Sequence, residues 1–397
     1  MCRVSQKTCK TSQTACIRGK YALGQFLFYF LIIIKEMKKV YRSALCACLA
    51  GFVLASCEPE KGGYMPEPTV SNPDVFILCE GLYQANNADI SAYRTDSMSC
   101  MGEYYLAQNG RYLGDTGQDI LYHKDYLYVA VYGSSYVAML DLEGKELTRY
   151  SFSTEEGQPR YLAAEGDYLY VTLYSGQVVK MLASDLSVVD YATVGKNPEG
   201  VVVYDGQLLV ANSGWGADNT VTVIDMATFE PVKTITVAWN PQQFILSGDS
   251  VYLLANGEYD ENWNCDYPVQ HIDVASGKVR TIGNASRGVA YDGKLYLCQS
   301  VTDWATYETV NTFFTYDVAT ATVDGQTFLQ GDTEELTSNS VYMMEVTPAN
   351  GEIYIGLAGN KFVSSGMIHR LSRDGHLIHR FDVNGANPSQ AAFVPKK

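Results

Sequence analysis

A short element recurs along this chain: a turn of Asp, Gly or Asn, then a strand-length run built around alternating aromatic and aliphatic residues. It reads YLYVAV after Asp125, YLYVTL after Asp167, QLLVAN after Gly206, SVYLLAN after Asp249, KLYLCQ after Gly293 and EIYIGL after Gly351, with VFILCEG after Asp74 as the earliest copy. Aligned at Val75, Leu127, Leu169, Leu208, Val251, Leu295 and Ile353, the copies stand 52, 42, 39, 43, 44 and 58 residues apart. A unit of that length cannot bury its apolar faces alone and must stack on its neighbours. Almost every segment between the copies also reads as strand, so the period predicts sheet packed on sheet and excludes a helical solenoid.

Residues 198–237 display the unit most clearly. An inner strand from Pro198 to Tyr204 meets the Asp205-Gly206 hairpin, and strands follow over 207–212, 220–224 and 232–237. Asp-Gly supplies the positive φ that a two-residue hairpin requires. Four antiparallel strands per unit make a β-propeller blade. Inner strands begin near Gln118, Pro159, Pro198, Pro241, Arg287, Val341 and Pro388, which makes seven. The last has no outer strands after it, and the copy at Asp74 has no inner strand before it. The expected fold is therefore all-β: a seven-bladed β-propeller over residues 74–397 whose first and last strands complete one blade, leaving no open sheet edge. A chain of 397 residues that is 47% hydrophobic and 18% charged has the apolar content for it.

Charge is unevenly distributed. The first 57 residues hold nine Lys/Arg and one acid, leaving 20 basic against 43 acidic residues and a net charge of −23 on the remainder. Such a body repels phosphate backbones, so nucleic acid is not an expected partner. From Met37, the pair Lys38-Lys39, the apolar run from Ser43 to Ser56 and the small residues before Cys57 form a secretory signal over 37–56, too short to span a bilayer. Leu54-Ala55-Ser56-Cys57 resembles the lipobox of bacterial lipoproteins, which implies cleavage before Cys57 and lipid attachment to it. Residues 57–73 then read as an acidic, Pro/Gly-rich tether. The apolar run over 26–34 lies upstream of a complete signal. Translation is therefore expected to start at Met37, and residues 1–56 count as leader.

In this topology the loops between second and third strands emerge on the same face as the loops entering the inner strands. That face carries Tyr83, Tyr132, Tyr174, Trp215, Tyr259, Trp263, Trp304 and Tyr307, and Trp239 joins it through Asn240-Pro241. All four Trp residues of the chain are thus gathered there, as on a binding surface. Around the channel, the starts of the inner strands predict a polar ring of Gln118, Arg160, Glu199, Gln242, Arg287, Asn339 and Gln390. From it Arg160, Gln242 and Arg287 are expected ligand contacts, suited to a large ligand rich in amides and oxygens.

Catalytic and metal signatures are weaker. His123, His271, His369, His376 and His379 fall outside the aromatic loops, so no Ser-His-Asp or Cys-His grouping converges there. No three-ligand zinc spacing appears. Asp260, Asn262, Asn264 and Asp266 imitate a calcium loop, but Cys265 and His271 stand where Gly and Glu are required, so the segment reads as a polar loop. No metal or cofactor is expected. Among Cys79, Cys100, Cys265 and Cys298, only Cys265 and Cys298 are placed, on neighbouring blades, where a disulfide is geometrically admissible.

The stretch from Asn219 to Pro241, NTVTVIDMATFEPVKTITVAWNP, resembles the repeat of the YVTN or surface-layer type of propeller. With the lipobox and tether, the whole mature chain resembles the vitamin B12-capturing surface lipoproteins (BtuG-like) of gut bacteria. That resemblance implies a lipid-anchored outer-membrane protein facing the extracellular surface. It would bind cobalamin or a related corrinoid without turnover and hand it to a TonB-dependent outer-membrane transporter. Two alternatives stay open, because a fold does not choose a function. An adhesion propeller would use the same aromatics on a flatter patch to hold glycan or protein. A propeller lyase or hydrolase would need Glu199, Glu258 or Glu308 as its acid or base.

Overall fold

The computed structural model describes residues 72–261 and 264–396. The leader, Cys57, most of the tether and Trp263 lie outside the described residues. Within them the chain forms seven four-stranded antiparallel sheets. Their inner strands are Pro388–Phe393 in blade 1, Gly117–His123 in blade 2, Pro159–Glu165 in blade 3 and Pro198–Tyr204 in blade 4. Blades 5, 6 and 7 begin with Pro241–Ser247, Arg287–Tyr291 and Val341–Val346. Each inner strand lies beside those of the two adjoining blades, and blade 7 returns to blade 1, so the sheets close a ring.

Closure is made by hydrogen bonding between the two ends of the body. Pro388–Phe393 pairs antiparallel with Val75–Cys79, with Val75 opposite Phe393 and Leu78 opposite Gln390. Blade 1 is thus a C-terminal inner strand completed by three N-terminal ones, as the strand count predicts.

The recurrent YLY-type run is the second strand of every blade, and its alternation has a direct physical reading. The aligned residues Val75, Leu127, Leu169, Leu208, Val251, Leu295 and Ile353 each face the preceding blade. The next residue in each copy, Phe76, Tyr128, Tyr170, Leu209, Tyr252, Tyr296 or Tyr354, enters the core shared with the following blade. Successive side chains of a strand point to opposite faces, so one strand stitches two interfaces. Burying a large apolar side chain this way contributes roughly 1.5–3 kcal/mol. The fourth strands, such as Glu230–Thr236, are largely exposed because they form the outer rim.

The two long repeat intervals have a common cause. A helix at Tyr104–Asn109 is inserted before blade 2, and a second at Glu334–Ser338 before blade 7. The four described cysteines are free thiols. Cys298 does not pair with Cys265, because it is sealed inside the core between blades 6 and 7 while Cys265 stays on a half-buried loop.

Candidate functional site

The inner strands do not run straight into the channel. In blades 2, 3, 4, 5 and 7 the register slips between Gly117 and Asp119, Pro159 and Leu162, Pro198 and Val201, Pro241 and Gln243, and Val341 and Met343. Blade 1 slips between Pro388 and Gln390. A bulge adds an unpaired residue and re-aims its side chain. Gln118, Arg160, Gln242, Tyr342 and Ser389 occupy these slips, and all line a cavity of about 730 Å³ at the aromatic face.

Four successive blades wall one side of that cavity with aromatic rings. Tyr83, Tyr132, Tyr174 and Trp215 come from the loops after the second strands of blades 1, 2, 3 and 4. Tyr132 and Tyr174 meet edge-on at 5.3 Å, and Tyr174 and Trp215 at 6.3 Å. Trp215 Nε1 donates to the Tyr174 hydroxyl at 3.2 Å. Tyr83 and Trp215 stand at the rim, 74% and 75% exposed. Trp215 is held with φ of 57° between Gly214 and Gly216, themselves at 54° and 86°. A non-glycine residue in that region costs roughly 1–3 kcal/mol. The turn presents the indole to solvent in spite of that strain.

Beneath the rings lies a charged cluster. The Arg160 guanidinium donates from Nε to Glu199 Oε2 at 2.8 Å, pairs with the same carboxylate through Nη2 at 2.7 Å, and donates from Nη1 to Gln118. It sits 5.0 Å from the Tyr132 ring centroid and 4.7 Å from that of Tyr174. The Tyr174 hydroxyl donates to the other Glu199 oxygen. Burial pushes the Glu199 carboxyl upward, and Arg160 and Tyr174 oppose it. A buried pair of this kind is weak evidence for stability, and its clearer consequence here is position, because it locks Arg160 between two tyrosine faces.

On the far side, Tyr342 donates its hydroxyl to Glu80, whose carboxyl burial pushes above the ordinary range. Arg287 donates from Nε to the Tyr342 carbonyl and from Nη1 to the Ser286 carbonyl, each at 2.8 Å. Met343, Met344 and Glu345 also line this side of the cavity. Among the described residues no group of three His, Cys, Asp or Glu side chains is placed to hold a metal ion.

Of the expected contacts, the cavity brings together Tyr83, Tyr132, Arg160, Tyr174, Trp215, Gln242 and Arg287. Trp304 lines a separate cavity of about 150 Å³, its ring 5.5 Å from that of Phe362. Trp239, Tyr259 and Tyr307 line neither. The Tyr259 hydroxyl accepts long bonds of 3.4 Å from Asn240 and Asn256, and Tyr307 faces the Lys361 ammonium at 5.3 Å. Asn339 does not join the channel ring. It ends the helix Glu334–Ser338, donating to the Glu335 carbonyl at 2.9 Å, and the ring position of blade 7 belongs to Tyr342. Tyr342 follows Val341 as Arg160 follows Pro159, so aligning the inner-strand starts residue by residue would have found it.

No protein-family model matches this sequence, and no curated protein does. Solved structures match in fold. A quinoprotein alcohol dehydrogenase-like protein from Bacteroides thetaiotaomicron superposes with a TM-score of 0.60 at 16% identity, over 81% of this chain and 78% of that one. The hydrazine synthase of Kuenenia stuttgartiensis gives a TM-score of 0.52 at 18% identity, over 64% of this chain and 83% of that one. At these identities the likeness is one of fold alone. The protein is a seven-bladed β-propeller with an aromatic-walled cavity at one face of its channel.

Proposed function

We propose that this propeller captures one large ligand rich in amides and oxygens, a corrinoid such as cobalamin, and releases it unaltered to a TonB-dependent outer-membrane transporter. The carrying observation is the wall of Tyr83, Tyr132, Tyr174 and Trp215, four rings from four successive blades around one cavity of about 730 Å³. That volume falls within the usual range for small-molecule sites. Rings of this kind stack on a flat ligand, while Gln118, Gln242 and Gln390 offer amides to its periphery. Of the carboxylates that a lyase or hydrolase reading names, Glu199 has both oxygens committed to Arg160 and Tyr174. Glu258 and Glu308 stand outside this cavity. Comigration of cobalamin with the purified protein on a sizing column tests the reading, and elution of the vitamin at its free position contradicts it.

Anchoring by lipid at Cys57 belongs to the same proposal. A tethered propeller stays at high effective concentration beside a membrane partner. No helix among the described residues is long and apolar enough to cross a membrane. Cys57→Ala should release the protein from the membrane fraction or leave its precursor uncleaved, and an unmodified mature terminus elsewhere, found by mass spectrometry, contradicts lipidation. A second reading, adhesion to glycan or protein, is favoured by one observation: Trp239, Tyr259 and Tyr307 are exposed outside the cavity.

A further inference from the structure

Arg287 is the cavity arginine with no direct ion pair among the described residues, although its charge reaches Glu80. Arg160 has Glu199 as counter-ion, but no carboxylate among the described residues stands within ion-pair distance of Arg287. Two backbone carbonyls, those of Tyr342 and Ser286, hold its Nε and Nη1 and fix the plane of the guanidinium. Carbonyls orient a cation without neutralising it, and Nη2 remains for a further acceptor. Arg287 lies on the boundary between two spaces, lining both the cavity of about 730 Å³ and the one of about 150 Å³ beside it. Trp304, Phe362 and Tyr342 wall the smaller space, with Phe362 5.5 Å from Trp304 and 6.2 Å from Tyr342. A void of this size admits about one six-membered ring.

We infer that the ligand of this mouth carries an oxyanion, phosphate or carboxylate, which binds Arg287, and beyond it a flat arm that enters the small cavity beside the Trp304 and Phe362 rings. The inference rests on the reading of the mouth as the ligand site, and it adds a charge and a direction to that ligand. With the guanidinium held in one plane by the two carbonyls, the remaining Nη2 presents a charge-assisted donor in a fixed direction, which a freely rotating ammonium does not. The core of the ligand then lies against the tyrosines of blades 2 and 3 while its anionic arm runs outward between blades 6 and 7.

Thermal melts of the purified full-length protein at fixed ionic strength test the anion site without any corrinoid. Pyrophosphate or malonate at about 20 mM should raise the melting temperature above that in chloride, because a ligand that binds only the folded state stabilises it by mass action. The more effective anion identifies the group. Arg287→Gln should abolish the shift, Arg287→Lys should keep part of it, and Arg373→Ala, exposed in a turn of the opposite face, should leave it intact. No anion-specific shift in the wild type, or one that survives Arg287→Gln, overturns the inference. A second arm compares cobalamin with cobinamide, which has the corrin ring but not the phosphate-bearing nucleotide arm. Cobalamin should bind wild type about 10- to 100-fold more tightly than cobinamide, the range that hydrogen bonds to charged groups convert to, and Arg287→Gln should erase that preference. Equal binding of the two by wild type counts against the inference and leaves corrinoid capture standing. Absence of both corrinoids, with the anion shift at Arg287 retained, removes the corrinoid and keeps the anion site.

Discussion

Glu345 stands at the cavity wall with its carboxyl pushed up to about 8, by burial first and by the nearby Asp119 second. Asp119 is itself pushed up to about 7 by burial, against the Leu162 and Ile120 amides that donate to it. Both folded-state values lie above the ordinary 4.5 and 3.8. Their contribution to stability is therefore complete below pH 4 and declines as the pH rises toward 8. Glu345→Gln mimics the protonated side chain at every pH. The variant should match wild type near pH 4 and exceed it by about 1–3 kcal/mol at pH 8 in denaturant melts. A gain of the same size at both values contradicts an uncharged Glu345 at low pH. The same residue keeps its part of the cavity wall neutral near pH 7, which favours amide and carbonyl groups of a ligand over cations.

The second strands make a different test possible, because Tyr128 and Tyr354 occupy equivalent positions in blades 2 and 7 and differ in one bond. The Tyr128 hydroxyl donates to the Ala183 carbonyl at 2.7 Å, whereas the Tyr354 hydroxyl is buried without a partner among the described residues. Tyr128→Phe should cost about 1 kcal/mol, and Tyr354→Phe should cost nothing or stabilise slightly. Equal losses in urea melts would overturn this account of the repeat. These strands were fully legible in the sequence, since period-two alternation and Asp-Gly turns depend on neighbours a few residues apart. The inner-strand bulges were not. A register slip is decided by the partner strand and the channel as well as by the local pattern: blade 7 begins at Val341 as expected, but its channel position falls to Tyr342 and not to Asn339. The inserted helix Glu334–Ser338 made that misreading easy by placing a polar residue just before the strand. Among the aromatic loops, exposure was legible and convergence was not. Trp239 and Tyr307 share a face with Trp215, but whether a ring leans toward the channel depends on loop geometry that composition does not encode.

For the whole molecule, closure is the decisive property. Pro388–Phe393 covers the edge of Val75–Cys79 and contributes Ala392 to the core between blades 1 and 2. Deleting residues 387–397 should abolish the single cooperative melt rather than trim a tail, because it opens a sheet edge and unseals the cores on either side of blade 1. An unchanged melting temperature for that truncation contradicts a ring closed by its ends. The ring also explains how rings from four separate loops can share one cavity: the blades hold them at fixed angles around the channel, and a rigid scaffold supporting variable loops is where binding residues concentrate. We propose that this cavity binds a corrinoid through those rings. Titration calorimetry of cobalamin into the wild type, Trp215→Ala and Arg373→Ala measures it most directly. Wild type and Arg373→Ala should bind alike at micromolar concentration, and Trp215→Ala should lose roughly 2 kcal/mol, the cost of truncating an aromatic anchor. No heat from the wild type, or equal affinity in Trp215→Ala, contradicts the claim.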